Sequence, residues 1–143
     1  MFEHGSKSTF TLRYNANINW GAQQLLSELS RVDWSNVCLA HLFTYQDFDF
    51  GIQGGAYESS PESRYGGICS QKTRDTQGIA RKYNCGFTSQ INWGRRLTSL
   101  EANIVTAHEI GHNFGSRHDP TDMECAPGGS MGNFSIQFIQ SIS

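Results

Sequence analysis

His108-Glu109-Ile110-Gly111-His112, followed by Gly115 and then His118-Asp119, is the cluster in this sequence best equipped for hydrolytic chemistry. On a helix, residues four apart share a face one turn apart, so the rings of His108 and His112 can reach one ion. Glu109 sits about 100° further round, which places its carboxylate beside the ion rather than on it. Gly115 allows a sharp turn after the helix, so that His118 can swing back as a third ligand. Three neutral imidazoles suit zinc and leave a fourth position open for water, the pattern of a catalytic rather than a closed structural site. Zinc acidifies water and polarises a carbonyl, and Glu109 can take the proton and pass it to a leaving amine.

These side chains need a helix to hold them. Thr98-Ser99-Leu100-Glu101 reads as a capping box. Leu100, Ile104, Ala107 and Phe114 then recur at helical spacing as the expected apolar face, and Gly115 ends the run. Upstream, Asn19 is the expected cap of a helix reaching Arg31, with Leu25, Leu26, Leu29 and Val32 on one face and Asp33-Trp34-Ser35 as its break. The run Val37 to Phe43 predicts a strand buried on both faces. His41 within it reads as a packed strand residue rather than a ligand. A short strand is expected near Gly54–Tyr57, a loop over Ser59–Gly67, no clear element over 70–84, and a strand over Phe87–Ile91. The uncharged tail Asn133–Ser143 alternates Phe134, Ile136 and Phe138 like one more strand.

The chain has 143 residues and 16.0 kDa, the size of one domain. With a net charge of −2 and few, scattered basic residues, nothing in the sequence asks for a nucleic-acid or anionic-membrane partner. Apolar residues make up 37%, thin for a core, but 12% aromatic content is too much for a disordered chain. No stretch is long and apolar enough to span a membrane, and Met1–Thr9, with Glu3, His4 and Lys7, does not read as a signal peptide. Four cysteines are compatible with two disulfides, whose pairing the sequence leaves open. Cysteines without targeting suggest a piece of something larger.

Residues His108 to Asp119 resemble the zinc-binding consensus of metzincin proteases, in the adamalysin or ADAM (disintegrin-and-metalloprotease) branch and of the tumour-necrosis-factor-α-converting-enzyme type. The resemblance extends to Val37–Asp49, Gly66-Gly67-Ile68-Cys69 and Glu124-Cys125-Ala126-Pro127, and covers residues 14–129. It implies an α/β fold: a metzincin-type zincin catalytic domain with a twisted mixed sheet and an active-site helix, incomplete at both ends. Residues 1–143 would be one partial catalytic domain and 133–143 a divergent tail. By the same resemblance His108, His112 and His118 are zinc ligands, Glu109 is the general base, and Gly115 is the structural turn. Gln53, Gly54, Gly55 and Ala56 match the edge strand that pairs with an extended peptide substrate. Asp119 matches a structural carboxylate behind the site.

The chain departs from the pattern in three ways. The family's tyrosine-rich methionine turn is replaced, with Met131 in Gly129-Ser130-Met131-Gly132 as the available methionine. The opening strand, first helix and final helix have no counterpart. The resemblance puts the partner of Cys38 before residue 1 and those of Cys69 and Cys125 beyond the methionine turn, and it offers no counterpart for Cys85.

The implied activity is that of a zinc metalloendopeptidase that sheds ectodomains of membrane-anchored proteins. The implied parent is a cell-surface protein of the secretory pathway with a prodomain, a disintegrin region and a membrane anchor. An alternative expectation is a truncated, inactive product that at most binds zinc or substrate. A small zinc-binding interaction module fits less well, because structural zinc is normally closed by four protein ligands.

Overall fold

The computed structural model describes residues 20–60 and 65–118. Helix α1 (Ala22–Ser30) forms where Ala22, Leu25, Leu26 and Leu29 recur on one face, and all four are buried. Its N-cap is Gly21 rather than Asn19, and Arg31 is its C-cap. Gly21 offers no capping side chain, so tertiary packing holds this end. The Trp34 indole N–H donates to the Leu29 carbonyl at 2.9 Å, anchoring the break that follows the helix.

Strands β1 (Ala40–Thr44), β2 (Gly54–Ala56) and, later in the chain, β5 (Cys85–Ser89) make a mixed sheet of order β1-β5-β2. β1 runs parallel to β5, with His41 opposite Gly86, and β2 runs antiparallel to it, with Gly55 opposite Phe87. Two hairpins complete the strands: β3 (Thr73–Arg74) with β4 (Ala80–Arg81), and β6 (Ile91–Asn92) with β7 (Arg95–Arg96). The first lies where the sequence shows no period. Asp75 organises it by accepting from the Gln77 and Ile79 amides and from Arg81 Nε. Helix α2 (Ser99–Asn113) closes the described chain behind the expected capping box.

The two helices lie on opposite faces of the sheet. A Cβ at Gly55 would meet Phe87 and Leu26, on the α1 side. A Cβ at Gly54, one residue earlier, would meet Glu109 of α2. Along β5, Cys85 and Phe87 join the α1 core, while Gly86 and Thr88 face α2. Alternation along each strand thus assigns one helix to each face.

Two further expectations change here. The run Val37–Phe43 is not a strand buried on both faces: β1 starts at Ala40, is the sheet's first strand, and leaves Phe43 56% exposed. The fully buried strand is β5, whose Cys-Gly-Phe-Thr-Ser sequence is not an apolar run. Its glycine and threonine let α2 approach closely. The second change concerns cysteines. Cys38 and Cys69 are joined in a disulfide, although the resemblance put the partner of Cys38 before residue 1 and that of Cys69 beyond the methionine turn. The loop carrying Cys69 returns beside the start of β1, where the Cys69 amide donates to the Cys38 carbonyl at 2.6 Å. Cys85 is a buried free thiol, and burial pushes it up to about 12. Cys125, Met131, Asp119, Asn19 and the tail 133–143 lie outside the described residues.

Phe87 is fully buried between α1 and Phe48, the two rings 5.2 Å apart. Phe87→Ala therefore lowers unfolding free energy by about 3–5 kcal/mol in urea denaturation. A loss within about 0.5 kcal/mol, the range of ordinary surface substitutions, would remove this residue from the core.

Candidate metal centre

Helix α2 positions its chemistry by which of its faces is buried. Ala102, Val105, Glu109 and Asn113 face the sheet, whereas Leu100, Ile104, Ala107 and Phe114 are exposed. The apolar face expected from the sequence is therefore the outer one. The inner face includes two polar side chains, which conceal it from any hydropathy pattern.

His108 and His112 emerge between these faces. The helix ends with Phe114 as C-cap and Gly115 at φ +93°, a left-handed conformation that disfavours a side chain. The Gly115 amide donates to the His112 carbonyl and the Ser116 amide to the Gly111 carbonyl, both at 2.9 Å. This is the double hydrogen bond of a Schellman turn. It reverses the chain and returns His118 to the helix. His118 Nε2 lies 3.2 Å from His108 Nε2 and 3.0 Å from His112 Nε2.

These distances fit one shared ion. Two tetrahedral nitrogen ligands about 2.05 Å from zinc stand roughly 3.3 Å apart. The three residues form a group whose ligand atoms all lie within 4.8 Å of one another. His112 Nδ1 lies 2.7 Å from the Ser116 carbonyl. That acceptor fixes the proton on Nδ1 and leaves Nε2 as the nitrogen able to ligate a metal. Burial, aided by His112 and His118, holds His108 down at about 4, so its ring is neutral at physiological pH. His41 lies apart from this group, with Nε2 2.8 Å from Thr88 Oγ1, and burial holds it at about 4.

Glu109 is 1% exposed and packs beneath Gly54. A Cβ at Gly54 would stand 2.6 Å from Glu109 Oε1, so only glycine leaves room for the carboxylate. Oε1 has no hydrogen-bond partner among the described residues. Burial pushes Glu109 up to about 8. Gln53, Gly55 and Tyr57 face β5: Ser89 donates to the Gln53 carbonyl, and Tyr57 donates to the Cys85 carbonyl. The alternate residues Gly54 and Ala56 therefore direct their main-chain groups away from β5. β2 is the margin of its sheet among the described residues.

Asn113 escaped the sequence reading. Fully buried, it donates from Nδ2 to the Tyr57 carbonyl at 2.9 Å and the Cys85 carbonyl at 3.3 Å. It thus ties the end of α2 to the ends of β2 and β5. Its one signal was a position four residues beyond Glu109, on the same face.

A mixed sheet with a margin strand laid over a helix, and three converging imidazoles at that helix's end, defines a metallopeptidase-type catalytic domain. Residues 3–142 match the family model described as metallo-peptidase family M12. Disintegrin and metalloproteinase domain-containing protein 10 of Homo sapiens is 38% identical over 112 residues, covering 78% of this chain and 15% of the relative. The Caenorhabditis elegans homolog of that protein is 38% identical over 130 residues, covering 87% of this chain and 14% of the relative. The Caenorhabditis elegans homolog of domain-containing protein 17 is 32% identical over 127 residues, covering 79% and 18%. The chain belongs to metallo-peptidase family M12, in the part of it that includes these disintegrin and metalloproteinase proteins. It spans only 15% of the length of the first of them.

Gly115→Ala forces a side chain into a left-handed turn and toward the Ser59 carbonyl, 3.1 Å away. It costs about 1–3 kcal/mol and weakens metal binding by releasing His118. Urea denaturation reads the first effect and calorimetric titration with zinc the second, and unchanged affinity would separate the turn from the site.

In the metal-free chain, His41 and His108 bind fewer protons folded than unfolded between pH 4 and 6.5, so they make stability rise with pH there. Glu109 binds more protons folded between pH 4.5 and 8, so it makes stability fall across that range. Above pH 6.5 only Glu109 of the three acts. The melting temperature in chelator therefore falls toward pH 8, and Glu109→Gln removes the fall. A level wild-type profile over that interval contradicts the buried position of this carboxylate.

Proposed function

We propose that this chain is the catalytic portion of a zinc-dependent endopeptidase that cleaves extended polypeptide. The supporting observation is the convergence of His108, His112 and His118 beside a buried Glu109 under Gly54. The three histidines would hold one zinc ion, which when bound supplies Lewis acidity to the scissile carbonyl and to water. Gly54 and Ala56 bind the substrate main chain as an added antiparallel strand, with Gln53 and Gly55 holding that edge against β5. Glu109 takes the proton of the attacking water and delivers it to the departing amine. A carboxylate raised toward neutrality by burial is suited to both halves of that transfer. Gly115 keeps the third histidine in place, and Met131 is the candidate for the methionine turn.

The relationship to the disintegrin and metalloproteinase proteins supports a reading of the substrates. They are ectodomains of membrane-anchored proteins, released by a single cut, and the chain acts as part of a longer protein at the cell surface. The Cys38–Cys69 disulfide supports an oxidising compartment. Among the described residues no helix is long and apolar enough to cross a membrane.

The test is cleavage of a quenched peptide with a juxtamembrane sequence, with zinc content measured in parallel. Glu109→Gln abolishes cleavage, a loss on the order of 100-fold or more for a general base, and keeps zinc bound. His108→Ala loses zinc and activity together. Cleavage that survives Glu109→Gln removes the mechanism, and zinc binding without wild-type cleavage favours a non-catalytic, zinc-holding product.

A further inference from the structure

Helix α2 is apolar on two opposite faces. Ala102 and Val105 pack on the sheet. On the far side, Leu100, Ile104 and Phe114 are 70%, 54% and 63% exposed. Ala107 lies between them, also exposed. The spacing 100, 104, 107, 114 is a single stripe along the helix. A helix that is apolar on both sides belongs between two layers, and here one side lacks its layer among the described residues.

The chain itself carries a matching segment. Residues 133–143 hold no charged side chain, and Phe134, Ile136 and Phe138 fall on one side of an extended strand. Reach is ample. α2 has 15 residues and is about 22 Å long, while residues 119–143 span on the order of 80 Å when extended. Proximity favours this occupant too. The chain leaves α2 at Gly115, and only the 14 residues 119–132 separate the segment from His118, the last described residue. Tethering gives it an effective concentration of about millimolar, which a second copy at ordinary concentration does not match.

We infer that residues 133–143 dock on the outer face of α2, with Phe134, Ile136 and Phe138 covering Leu100, Ile104 and Phe114. The contact supplies the helix with its second layer whether or not the chain is catalytic. The test uses the full chain with a benzophenone amino acid at Ile104 and, in a separate protein, at Phe114. A control protein carries it at Gln23, which is exposed on α1. After irradiation, mass spectrometry of the monomer band is expected to find peptides from 133–143 joined to positions 104 and 114 but not 23. Replacing Phe134, Ile136 and Phe138 together by serine is expected to abolish those cross-links. Products of twice the chain mass would assign the face to a second copy. Those products, cross-links confined to other segments, equal labelling from position 23, or no cross-link at either site would overturn the proposal.

Discussion

The last turn of α2 has carbonyls that no further helix satisfies, and the site is built from the groups that meet them. Two distant parts of the chain and the turn that follows the helix supply donors. The Ser59 amide reaches the His112 carbonyl at 3.0 Å, and the Ile68 amide reaches the Asn113 carbonyl at 2.8 Å. The reversal at Gly115 supplies the rest, through the amides of Gly115 and Ser116. Unmade backbone hydrogen bonds at a covered helix end are costly. Meeting them here fixes three things together: the direction in which His118 returns, the loop that follows β2, and the packing of the helix on the sheet. Gly67 shows how tight this junction is, because a Cβ there would collide with the Asn113 carbonyl oxygen.

Close approach of α2 to the sheet follows from small residues at the crossing. Gly54 leaves room for Glu109, and a Cβ at Gly86 would come within 3.3 Å of Asn113 Oδ1. Thr88 meets Thr106 at 3.3 Å and His41 at 2.8 Å, giving the polar interior of this layer partners across three elements. Bulkier side chains would lift the helix and separate Glu109 from the margin strand that the peptide is proposed to join. The result is a carboxylate held dry against backbone, in the setting that raises a carboxylic acid toward neutral pH.

The convergence of the three histidines was legible in the sequence because each position of the motif has a separate mechanical role and the spacings are local. Thr98 and Glu101 were legible for the same reason, and the box they form is present, with the Thr98 amide donating to Glu101 Oε2 at 2.7 Å. What could not be read was anything set by packing across the chain. The stripe through Leu100 and Ile104 has a helical period, but periodicity does not say which of two faces meets the sheet. β5 is central with a sequence that no burial pattern selects, since Gly86 and Thr88 are chosen for the helix above them. The Cys38–Cys69 pairing depends on where a loop closes in space.

That disulfide extends the same logic outward. Cys69 lies one residue beyond Ile68, whose amide meets the Asn113 carbonyl, and Cys38 lies two residues before β1. The bond therefore ties the loop that finishes α2 to the strand on the far side of β5. β5 lies between β1 and β2, so the tie spans the sheet beneath the helix. Asn113 makes the complementary link at the other margin, holding the carbonyls of Tyr57 and Cys85 together. Between them these two links fix the end of α2 against both sides of the sheet. The third histidine departs from that fixed point after a short turn, so its place is inherited from contacts across most of the described chain.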